Sequence, residues 1–419
     1  MGLLIALIIV LLSLAGAPVF SLIAGGALYA FHFAQINSSA VIVEMLRLAS
    51  LPALIAIPLF TFSGYVLAES GAPRRLLALA GALLGWLPGG IAAAALVSTA
   101  AFTAFTGASG VTIIALGGLL YPMLRKHGYS EEFTLGLLTT TGSLGLLFPP
   151  SLPIILYGIV AKVSIDKLFA AGAVPGVLLI VILAVYAFFT GRKAGIKGEP
   201  FSLPALKAAA REAVWEIPLP FLVIGGIYGG WFTASEAATV MAVYTVAVEA
   251  FVYKDLNLLR DIPPIISRSM MLVGAIFVVL GTALGLTNYL IDAEIPAKLF
   301  GWLHTFVESK FAFLVILNMF LLVVNMVEIF SAIIIVVPII APVAAQYGID
   351  PVHLGIIFLL NLEIGYMTPP LGLNLFLASR RFNAPLSKLY AAVFRFWLML
   401  LAALLVVTYL PALSLWAVK

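Results

Sequence analysis

Two short polar stretches, each followed by a Pro-Pro step, interrupt the long apolar runs of this sequence. Pro149-Pro150 follows a run of threonine, serine and glycine, and Pro369-Pro370 follows a run that contains asparagine and glutamate. A Pro-Pro step removes two backbone donors and clashes with the preceding helical turn, so we expect nearby carbonyl groups to lose their helical partners. Carbonyl groups without partners in an apolar medium need a ligand, which a dehydrated Na⁺ supplies. Each break is therefore a candidate site for a cation or for an anionic group near a half-helix N-terminus.

Two glutamates lie in apolar surroundings, where a carboxyl group is costly. Glu328 falls inside the apolar run 311–347, and Glu363 lies shortly before the second Pro-Pro step. An ionised carboxylate in a membrane-embedded segment is unfavourable unless it is paired. Each acid is either a cation ligand or proton carrier, or a carboxyl group that free helix amides hold as a structural brace. Glu236, three residues after Thr233, fits a helix capping box instead.

Two long apolar runs contain a polar interruption near the middle. Residues 106–110 interrupt the run at about 90–127, and residues 325–328 interrupt the run at about 311–347. Two half-length helices around a polar tip suit a hairpin that enters the membrane and turns back. Irregular backbone at that depth must be buried in protein or line an aqueous cavity, so each tip is a candidate site. One long continuous helix is the alternative structure for each run.

The composition assigns the chain to a membrane. Of its 419 residues 63% are hydrophobic and 10% are charged, whereas soluble domains carry about 25% charged residues. A water-soluble enzyme and a nucleic-acid-binding protein are therefore excluded as classes, and the lack of cysteine excludes disulfides and thiolate metal centres. We predict an all-α polytopic membrane protein with roughly 11–12 transmembrane helices plus two hairpins, since each crossing needs about 20 apolar residues.

The pattern of glycine and proline recurs along the chain. The matched positions, 220 residues apart (342 − 122), are Pro122 and Pro342, Gly128 and Gly348, Gly145 and Gly365, and the two Pro-Pro steps. We predict two repeats, residues 1–190 and 213–419, in which a hairpin precedes a broken helix at about 131–162 or 351–381. The linker at 191–212 carries five lysine and arginine residues, so the positive-inside rule assigns it to the cytoplasm.

Loop charges indicate how the two repeats are oriented. The loop after the first hairpin begins with Arg125 and Lys126, whereas its counterpart begins with Ala345 and Gln346 and has no charge. Equivalent loops with different charge bias are expected on opposite sides of the membrane. We therefore predict that the two repeats are inverted relative to each other.

Motifs for enzymatic and ATP-driven chemistry are missing from the sequence. There is no His-Glu-x-x-His helix and no Gly-x-x-x-x-Gly-Lys-Ser/Thr phosphate loop, and the five aspartates fall in loops or at segment ends. A channel is less well supported, because pores usually form by symmetric packing of several chains, whereas this chain carries two broken-helix sites itself. We predict that the protein is not an enzyme and uses no organic cofactor.

Several motifs together resemble the large membrane subunit of TRAP (tripartite ATP-independent periplasmic) transporters, the DctM family, over essentially the whole chain. The segments that carry the resemblance are Ile57-Pro58-Leu59-Phe60, 142–151 with Tyr157-Gly158, 230–238, 348–353, 361–365 and 368–376. The resemblance implies an elevator-type secondary carrier, in which a transport domain of two hairpins and two broken helices slides against a scaffold, with Na⁺ as the coupling ion.

The resemblance also implies partners and a location. Members of that family act with a small four-helix membrane subunit (DctQ-type) and a soluble extracytoplasmic binding protein (DctP-type) in the bacterial or archaeal cytoplasmic membrane. The binding protein delivers an organic acid such as a C4-dicarboxylate or sialic acid. Two alternatives stay open: a stand-alone Na⁺- or H⁺-coupled anion carrier of related architecture, and an intramembrane enzyme.

The resemblance implies site residues by position in this sequence. One Na⁺ site would use the first tip, the first break and a neighbouring helix: Ser63, Gly107, Ser109, Gly142 and Gly145. The other would use Asn325, Gly365 and Thr368. Residues expected to line the substrate site are Thr141, Ser143, Glu328, Asn361 and Glu363. The second tip departs from the family pattern, because Glu328 stands where many relatives have a shorter acid.

Overall fold

The computed structural model describes residues 11–12, 17–37, 39, 42–43, 46, 50–107, 109–324 and 329–418. Every regular element in these residues is helical. The helices up to the middle of the chain are α1 Val19–Phe33, α2 Ala56–Glu69, α3 Ala72–Leu84, α4 Gly90–Thr106, α5 Ser109–Lys126, α6 Glu131–Thr141, α7 Leu152–Ala161 and α8 Ile165–Lys193.

The second half continues the helical architecture. Its first helix lies in the predicted cytoplasmic linker and begins after Ser202, whose side chain accepts a hydrogen bond from the Ala205 backbone N–H. The helices are α9 Leu203–Glu212, α10 Pro218–Tyr228, α11 Ala234–Ala247, α12 Ile262–Asp292, α13 Ile295–His304, α14 Lys310–Val324, α15 Ile329–Gln346, α16 Pro351–Gly365, α17 Leu373–Phe382, α18 Leu386–Tyr409 and α19 Ala412–Leu415.

Several helices in the described residues are long and apolar enough to cross a bilayer. Within the described ranges, six helical segments have the length and hydropathy for a span, or seven if the bent pair around Pro149-Pro150 counts as one. Other apolar runs fold as helices of 10–17 residues, among them Gly90–Thr106, Lys310–Val324 and Pro351–Gly365. The predicted total of 11–12 spans concerns the whole chain, including residues near its start that lie outside the described ranges, so that total stays a prediction.

The first apolar run is a hairpin rather than one long helix. Helix α4 ends before Gly107, which has a φ of 63°, and α5 begins at Ser109. The hydroxyl oxygens of Thr103 and Thr112 lie 2.8 Å apart and share a hydrogen bond. In a continuous helix these residues would lie about 13 Å apart along the axis. The chain therefore reverses direction at the tip.

The second apolar run also turns back on itself. Phe313, near the start of α14, stacks on Tyr347, just beyond the end of α15, with 4.3 Å between ring centroids. The Lys310 ammonium donates to the Gly348 carbonyl at 2.8 Å. Contacts between the first turn of α14 and the residues that follow α15 require the two helices to run in opposite directions. The tip itself, residues 325–328, lies outside the described residues.

Both Pro-Pro steps lie between helices rather than within one. A single 3₁₀ turn, Leu144–Leu147, follows α6, and the chain bends by 45° before α7. In the second half, residues 366–372 separate α16 from α17. Both Pro-Pro peptide bonds are cis. The helices resume where a polar cap or proline allows it, as at Ser151, whose side chain accepts from the Ile154 N–H before α7.

Corresponding helices in the two halves have similar bounds. Helices α5 and α15 end 220 residues apart (346 − 126), at Lys126 and Gln346. Helices α7 and α17 have 10 residues each and begin 221 residues apart (373 − 152). The order of hairpin, broken helix and long helix is thus the same in both halves. The inverted orientation of the two halves stays a prediction.

A buried ion cluster links the start of α3 to the residues before α10 and after α11. The Arg75 guanidinium donates to Asp255 at 2.6 Å and to Glu249 at 2.8 Å, and it also pairs with Glu216. Glu216 precedes α10, and Glu249 lies in a single π-helical turn at the end of α11. Arg75 also lies over the Tyr253 ring, 3.7 Å from its centroid. Because unpaired charges are expensive to bury, this cluster specifies where the start of α3 docks.

Candidate functional site

The two helix breaks contact each other directly. The Asn374 amide, at the start of α17, donates to the Thr139 carbonyl at 3.2 Å and to the Ser143 hydroxyl at 3.4 Å. The Thr140 hydroxyl lies 3.6 Å from the Met367 sulfur atom. Residues 220 or more positions apart in the sequence therefore form one polar region. The structure brings the predicted substrate residue Ser143 into contact with the second half of the chain.

The first hairpin tip packs onto the first break. The Thr103 hydroxyl donates to the Gly142 carbonyl at 3.0 Å. A Cβ atom at Gly145 would lie 2.3 Å from the Ala100 carbonyl oxygen, and a Cβ at Gly142 would lie 3.4 Å from the Ser109 carbonyl oxygen. At Gly145, only a residue without a side chain permits this approach of two backbones. Gly142, Gly145 and Ser109, all predicted for the first Na⁺ site, are thus neighbours.

Helix α2 also contacts the first hairpin tip. A Cβ atom at Gly64 would lie 2.4 Å from the Thr106 Cα atom, so the backbones of α2 and the tip are in contact. Ser63, the adjacent residue, is fully buried and donates its hydroxyl proton to the Leu59 carbonyl at 2.7 Å. Its oxygen keeps acceptor capacity. Gly107, at the tip, lies against the Leu152 side chain. Of the five residues predicted for the first Na⁺ site, Ser63 is thus next to a residue that contacts the tip, and the other four lie in the tip or in the break packed on the first hairpin.

The expectation that carbonyl groups around residues 142–148 and 362–368 lack partners is wrong at three glycines. The Gly142 carbonyl accepts from Thr103, the Gly145 carbonyl from the Phe148 N–H at 3.0 Å, and the Gly365 carbonyl from the Thr368 N–H at 3.0 Å. Short 3₁₀-type turns supply donors that a regular helix would have supplied one residue later. Each carbonyl oxygen still has a second lone pair that can face an ion.

The second predicted Na⁺ site is only partly described. The Thr368 hydroxyl donates to the Ile364 carbonyl at 2.8 Å and accepts from the Trp397 indole N–H at 2.9 Å. Asn325 and Glu328, predicted as an ion ligand and a substrate residue at the second tip, lie outside the described residues. Gly365 and Thr368 are therefore the members of this set that the structure positions.

Asn361 and Glu363 are fully buried but face different directions. The Asn361 amide donates to the Asn318 side-chain oxygen at 2.7 Å and to the Ile357 carbonyl at 2.9 Å, so it faces α14. Residues two positions apart on an α-helix point about 200° apart around its axis. The structure does not bring these two predicted substrate residues together on one side of α16.

Oxygen atoms without a hydrogen-bond donor are concentrated at the breaks. In the part of the chain that the structure describes, eight buried side-chain oxygens lack a partner, and five of them belong to the two broken helices. These are the oxygens Thr141 Oγ1, Asn361 Oδ1, Glu363 Oε1, Glu363 Oε2 and Asn374 Oδ1. Buried polar atoms are normally satisfied, and both asparagines already use their amide groups as donors. This region therefore offers acceptors to a cation or to a ligand that donates.

Two polar residues of this region were missed in the sequence. Asn374 lies within the motif that follows the second Pro-Pro step, and its position four residues after Pro370 is a usable signal. Asn318 is one polar residue in an apolar helix arm, and its amide also contacts the Thr408 hydroxyl at 3.3 Å. A lone asparagine in such a helix is itself a signal, because polar side chains at membrane depth seek partners on neighbouring helices.

The capping interpretation of Glu236 is confirmed. Thr233 and Glu236 form a reciprocal capping box at the start of α11, in which the Glu236 carboxylate accepts from the Thr233 N–H at 2.8 Å. The Thr233 hydroxyl oxygen accepts from the Glu236 N–H at 3.3 Å. The Glu236 carboxylate therefore caps the start of α11 and is separate from the acceptors at the breaks.

Comparison with known proteins agrees with this architecture. Residues 4–413 match the family described as "Tripartite ATP-independent periplasmic transporter, DctM component". The chain belongs to this DctM family. A match over nearly the whole chain confirms the resemblance seen in the Pro-Pro motifs, and relatives in the family are named as permeases, in agreement with the prediction that the protein is not an enzyme.

Individual relatives also match nearly the whole chain. The C4-dicarboxylate TRAP transporter large permease protein DctM of Pseudomonas aeruginosa is 36% identical over 392 residues, covering 93% of this chain and 92% of that protein. The ectoine/5-hydroxyectoine TRAP transporter large permease protein UehC of Ruegeria pomeroyi is 29% identical over 416 residues, covering 98% and 97%. This DctM-family chain is thus a multi-pass membrane protein of the TRAP large permease type.

A solved structure has the same fold. The crystal structure of the YdaH transporter of Alcanivorax borkumensis superimposes with a TM-score of 0.63, covering 91% of this chain and 89% of that chain. Sequence identity is 14%, so the similarity concerns the fold. The predicted all-α polytopic membrane class is confirmed.

Proposed function

We propose that this chain is the large permease of a Na⁺-coupled TRAP transporter that imports an organic acid. The acid is delivered by a soluble binding protein, and a small membrane subunit completes the transporter in the inner membrane. The word tripartite in the family description supports two further components. Movement of a transport domain against a scaffold, as in an elevator, is part of the same proposal.

The observation that carries Na⁺ coupling is the set of buried acceptor oxygens at the two breaks. Thr141, Asn361, Glu363 and Asn374 present oxygens that no donor in the described residues satisfies. Such oxygens are costly unless a ligand complements them, and oxygen atoms at discontinuous helices are the ligands that transported Na⁺ uses. A bound Na⁺ would supply that complement without requiring further donors from the protein.

The substrate class follows from the half-helices and the relatives. Helices α7 and α17 begin directly after the breaks, so their positive N-terminal ends face this region. A carboxylate is the group such ends favour. The names of the relatives include C4-dicarboxylate and ectoine, both of which carry a carboxylate. We propose a small carboxylate as substrate, with C4-dicarboxylates, ectoine and sialic acid as the compounds to test.

The test is uptake into proteoliposomes. The full chain is reconstituted with its small subunit, the binding protein is added outside, and radiolabelled C4-dicarboxylate, ectoine and sialic acid are supplied in separate assays. We expect an inward Na⁺ gradient to drive accumulation of one of them, and equal gradients of K⁺ or H⁺ to drive little. Equal uptake under all three gradients would contradict Na⁺ coupling.

Two additional arms sharpen the assay. Uptake that persists without the binding protein would favour the stand-alone carrier over the tripartite transporter. The variant Thr141→Ala removes one unpartnered oxygen at the first break and is expected to weaken the dependence on Na⁺. Thr282→Ala, in α12 and bonded to its own helix, is the matched control and should leave Na⁺ activation unchanged.

A further inference from the structure

A polar cavity opens at the end of α8, away from the helix breaks. It has a volume of about 280 Å³ and lies between α8, α18 and the start of α6. Lys193 and Arg395 contribute two positive charges to its lining, and Glu132 contributes one negative charge. Thr190 and Ser130 add hydroxyl groups. The cavity therefore carries a net positive charge together with hydrogen-bond donors.

Aromatic rings form the inner wall of this cavity. The rings of Tyr186 and Phe396 meet edge to face with 5.2 Å between centroids, and Phe133 lies 5.8 Å from both. Aromatic rings that pack against one another in this way form a preformed apolar surface. Basic and aromatic side chains side by side are typical of the interface between the bilayer and water. The cavity lies at that level, because Lys193 is the last residue of the span Ile165–Lys193.

An apolar groove continues from the cavity along α8. It has a volume of about 490 Å³, lies between α8 and the first turns of α4, and shares Phe189 with the polar cavity. Val181 and Val185 line it, and both are about half exposed. From Lys193 to Val181 the helix rises about 18 Å, which is roughly the thickness of the hydrocarbon in one leaflet of a bilayer.

We propose that the polar cavity and the apolar groove together bind one anionic phospholipid. The phosphate contacts Lys193 and Arg395, and an acyl chain lies along Val181 and Val185. Basic pockets between membrane helices are suited to anionic headgroups, and the adjoining groove suits a chain that soluble phosphate lacks. The positive-inside rule assigns the Lys193 end of α8 to the cytoplasmic leaflet. The site is independent of the proposed transport reaction, since it shares no residue with the breaks.

The test is a lipid titration followed by native mass spectrometry. The full chain, purified with its small subunit and delipidated, is titrated with phosphatidylglycerol or with phosphatidylcholine of the same acyl chains. We expect the first phosphatidylglycerol to bind at least about tenfold more tightly than phosphatidylcholine, because each cation near an anionic surface adds to affinity. The double variant Lys193→Ala/Arg395→Ala should lose that preference.

A matched variant and a competitor separate this site from general charge effects. Arg192→Ala/Lys197→Ala removes the same number of charges near the same helix end but outside the cavity, and should retain the preference. Inorganic phosphate at millimolar concentration should not displace phosphatidylglycerol. Equal loss of preference in both double variants would overturn the proposal, as would full displacement by phosphate, which would indicate a simple anion site.

Discussion

The two helix breaks have related backbones but different side-chain chemistry. The first break is surrounded by hydroxyl groups, and most of them are satisfied within the chain, as when Thr103 bridges the Thr112 hydroxyl and the Gly142 carbonyl. The second break carries amides and a carboxyl group, and Asn361, Glu363 and Asn374 each retain at least one unpartnered oxygen in the described residues. The first break is therefore organised by the protein itself, whereas the second keeps acceptor oxygens that the described residues do not satisfy.

The side chains of the two breaks differ in the free energy that their burial costs. Hydroxyl groups in helices can donate to the carbonyl four residues earlier, so they are inexpensive to bury without a ligand. A carboxyl group or a side-chain carbonyl has no such local partner, so burying it destabilises the empty protein. We therefore expect substitutions at the first break to change stability mainly through packing, and substitutions at the second break to change stability through polar satisfaction.

The largest effect is expected for Asn374→Asp. This change replaces an amide donor with an acceptor that faces the Thr139 carbonyl and the Ser143 hydroxyl, so a hydrogen bond is lost and a buried charge has no partner. We expect destabilisation of about 3–4 kcal/mol, measured by thermal unfolding in detergent. Asn383→Asp, exposed at the end of the same helix, is the control and should change little. Equal stability of both variants would remove Asn374 as the link between the breaks.

The next largest effect is expected for Gly145→Ala at the first break. The new Cβ atom would lie 2.3 Å from the Ala100 carbonyl oxygen and 2.4 Å from the Ala104 nitrogen, so two backbones must separate. We expect a loss of about 2–3 kcal/mol in the free energy of unfolding, together with loss of uptake. Gly274→Ala, where nothing lies within 4 Å, should be neutral or slightly stabilising. A fully stable Gly145→Ala variant would show that the tip and the break are not closely packed.

Glu363→Gln is expected to raise stability and to lower uptake if the carboxyl group takes part in transport. Glu363 is fully buried with both carboxyl oxygens unpartnered in the described residues, so removing the ionisable group should stabilise the empty protein by about 1–2 kcal/mol. If the carboxyl group is a cation ligand or proton carrier, uptake should fall at least about tenfold. Unfolding and uptake measured on the same preparation decide the question. A destabilised variant with normal uptake would instead identify a structural brace.

A smaller effect is expected for Thr368→Ala. The change removes the acceptor of the Trp397 indole N–H, which would leave that donor without its partner at a cost of about 1 kcal/mol. Thr368→Ser keeps the hydroxyl and should retain stability and the Na⁺ dependence of uptake. For the first break, Ser109→Ala is expected to weaken Na⁺ dependence as well. Unchanged Na⁺ activation in both alanine variants would contradict the assignment of the two ion sites.

The smallest effect lies outside both breaks, at the ion cluster of α3. Burial raises the pKa of Asp255, but hydrogen bonds from Arg75 and from the Gly71 N–H outweigh it and lower the pKa below its usual 3.8. A pKa lowered by folding stabilises the protein above about pH 3.8, and this stabilisation disappears as the pH falls through the lowered value. The difference in unfolding temperature between the native chain and Asp255→Asn should therefore shrink below pH 3.8. A difference in unfolding temperature that grows on acidification would contradict the predicted direction. Glu308→Gln, in an exposed loop, is the control.

The positions of the breaks were predictable from the sequence, whereas the partners of their side chains were not. A Pro-Pro step acts on its own backbone, so Pro149-Pro150 and Pro369-Pro370 locate the interruptions without knowledge of the fold. The contact between Asn374 and Thr139 joins residues 235 positions apart. It depends on how the helices pack, which composition and spacing do not determine.

One expectation about the breaks failed. The carbonyl groups of Gly142, Gly145 and Gly365 were expected to lack partners, yet a neighbouring hydroxyl or a short turn satisfies each. The unsatisfied acceptors of the region are side-chain oxygens, and identifying them requires the burial and the partners that only the structure gives.

The hydrogen bond between Trp397 and Thr368 makes the second break optically accessible. Five of the six tryptophans, at positions 86, 215, 231, 302 and 416, are at least 43% exposed, whereas Trp397 is partly buried with its indole N–H on the Thr368 hydroxyl. Indole emission is sensitive to the polarity and hydrogen bonding of its surroundings. Replacing the five exposed tryptophans with phenylalanine would leave Trp397 as the one tryptophan, beside the proposed ion ligand Thr368. If the proposed ion site is correct, the emission spectrum of Trp397 would change when Na⁺ is added, without an attached label.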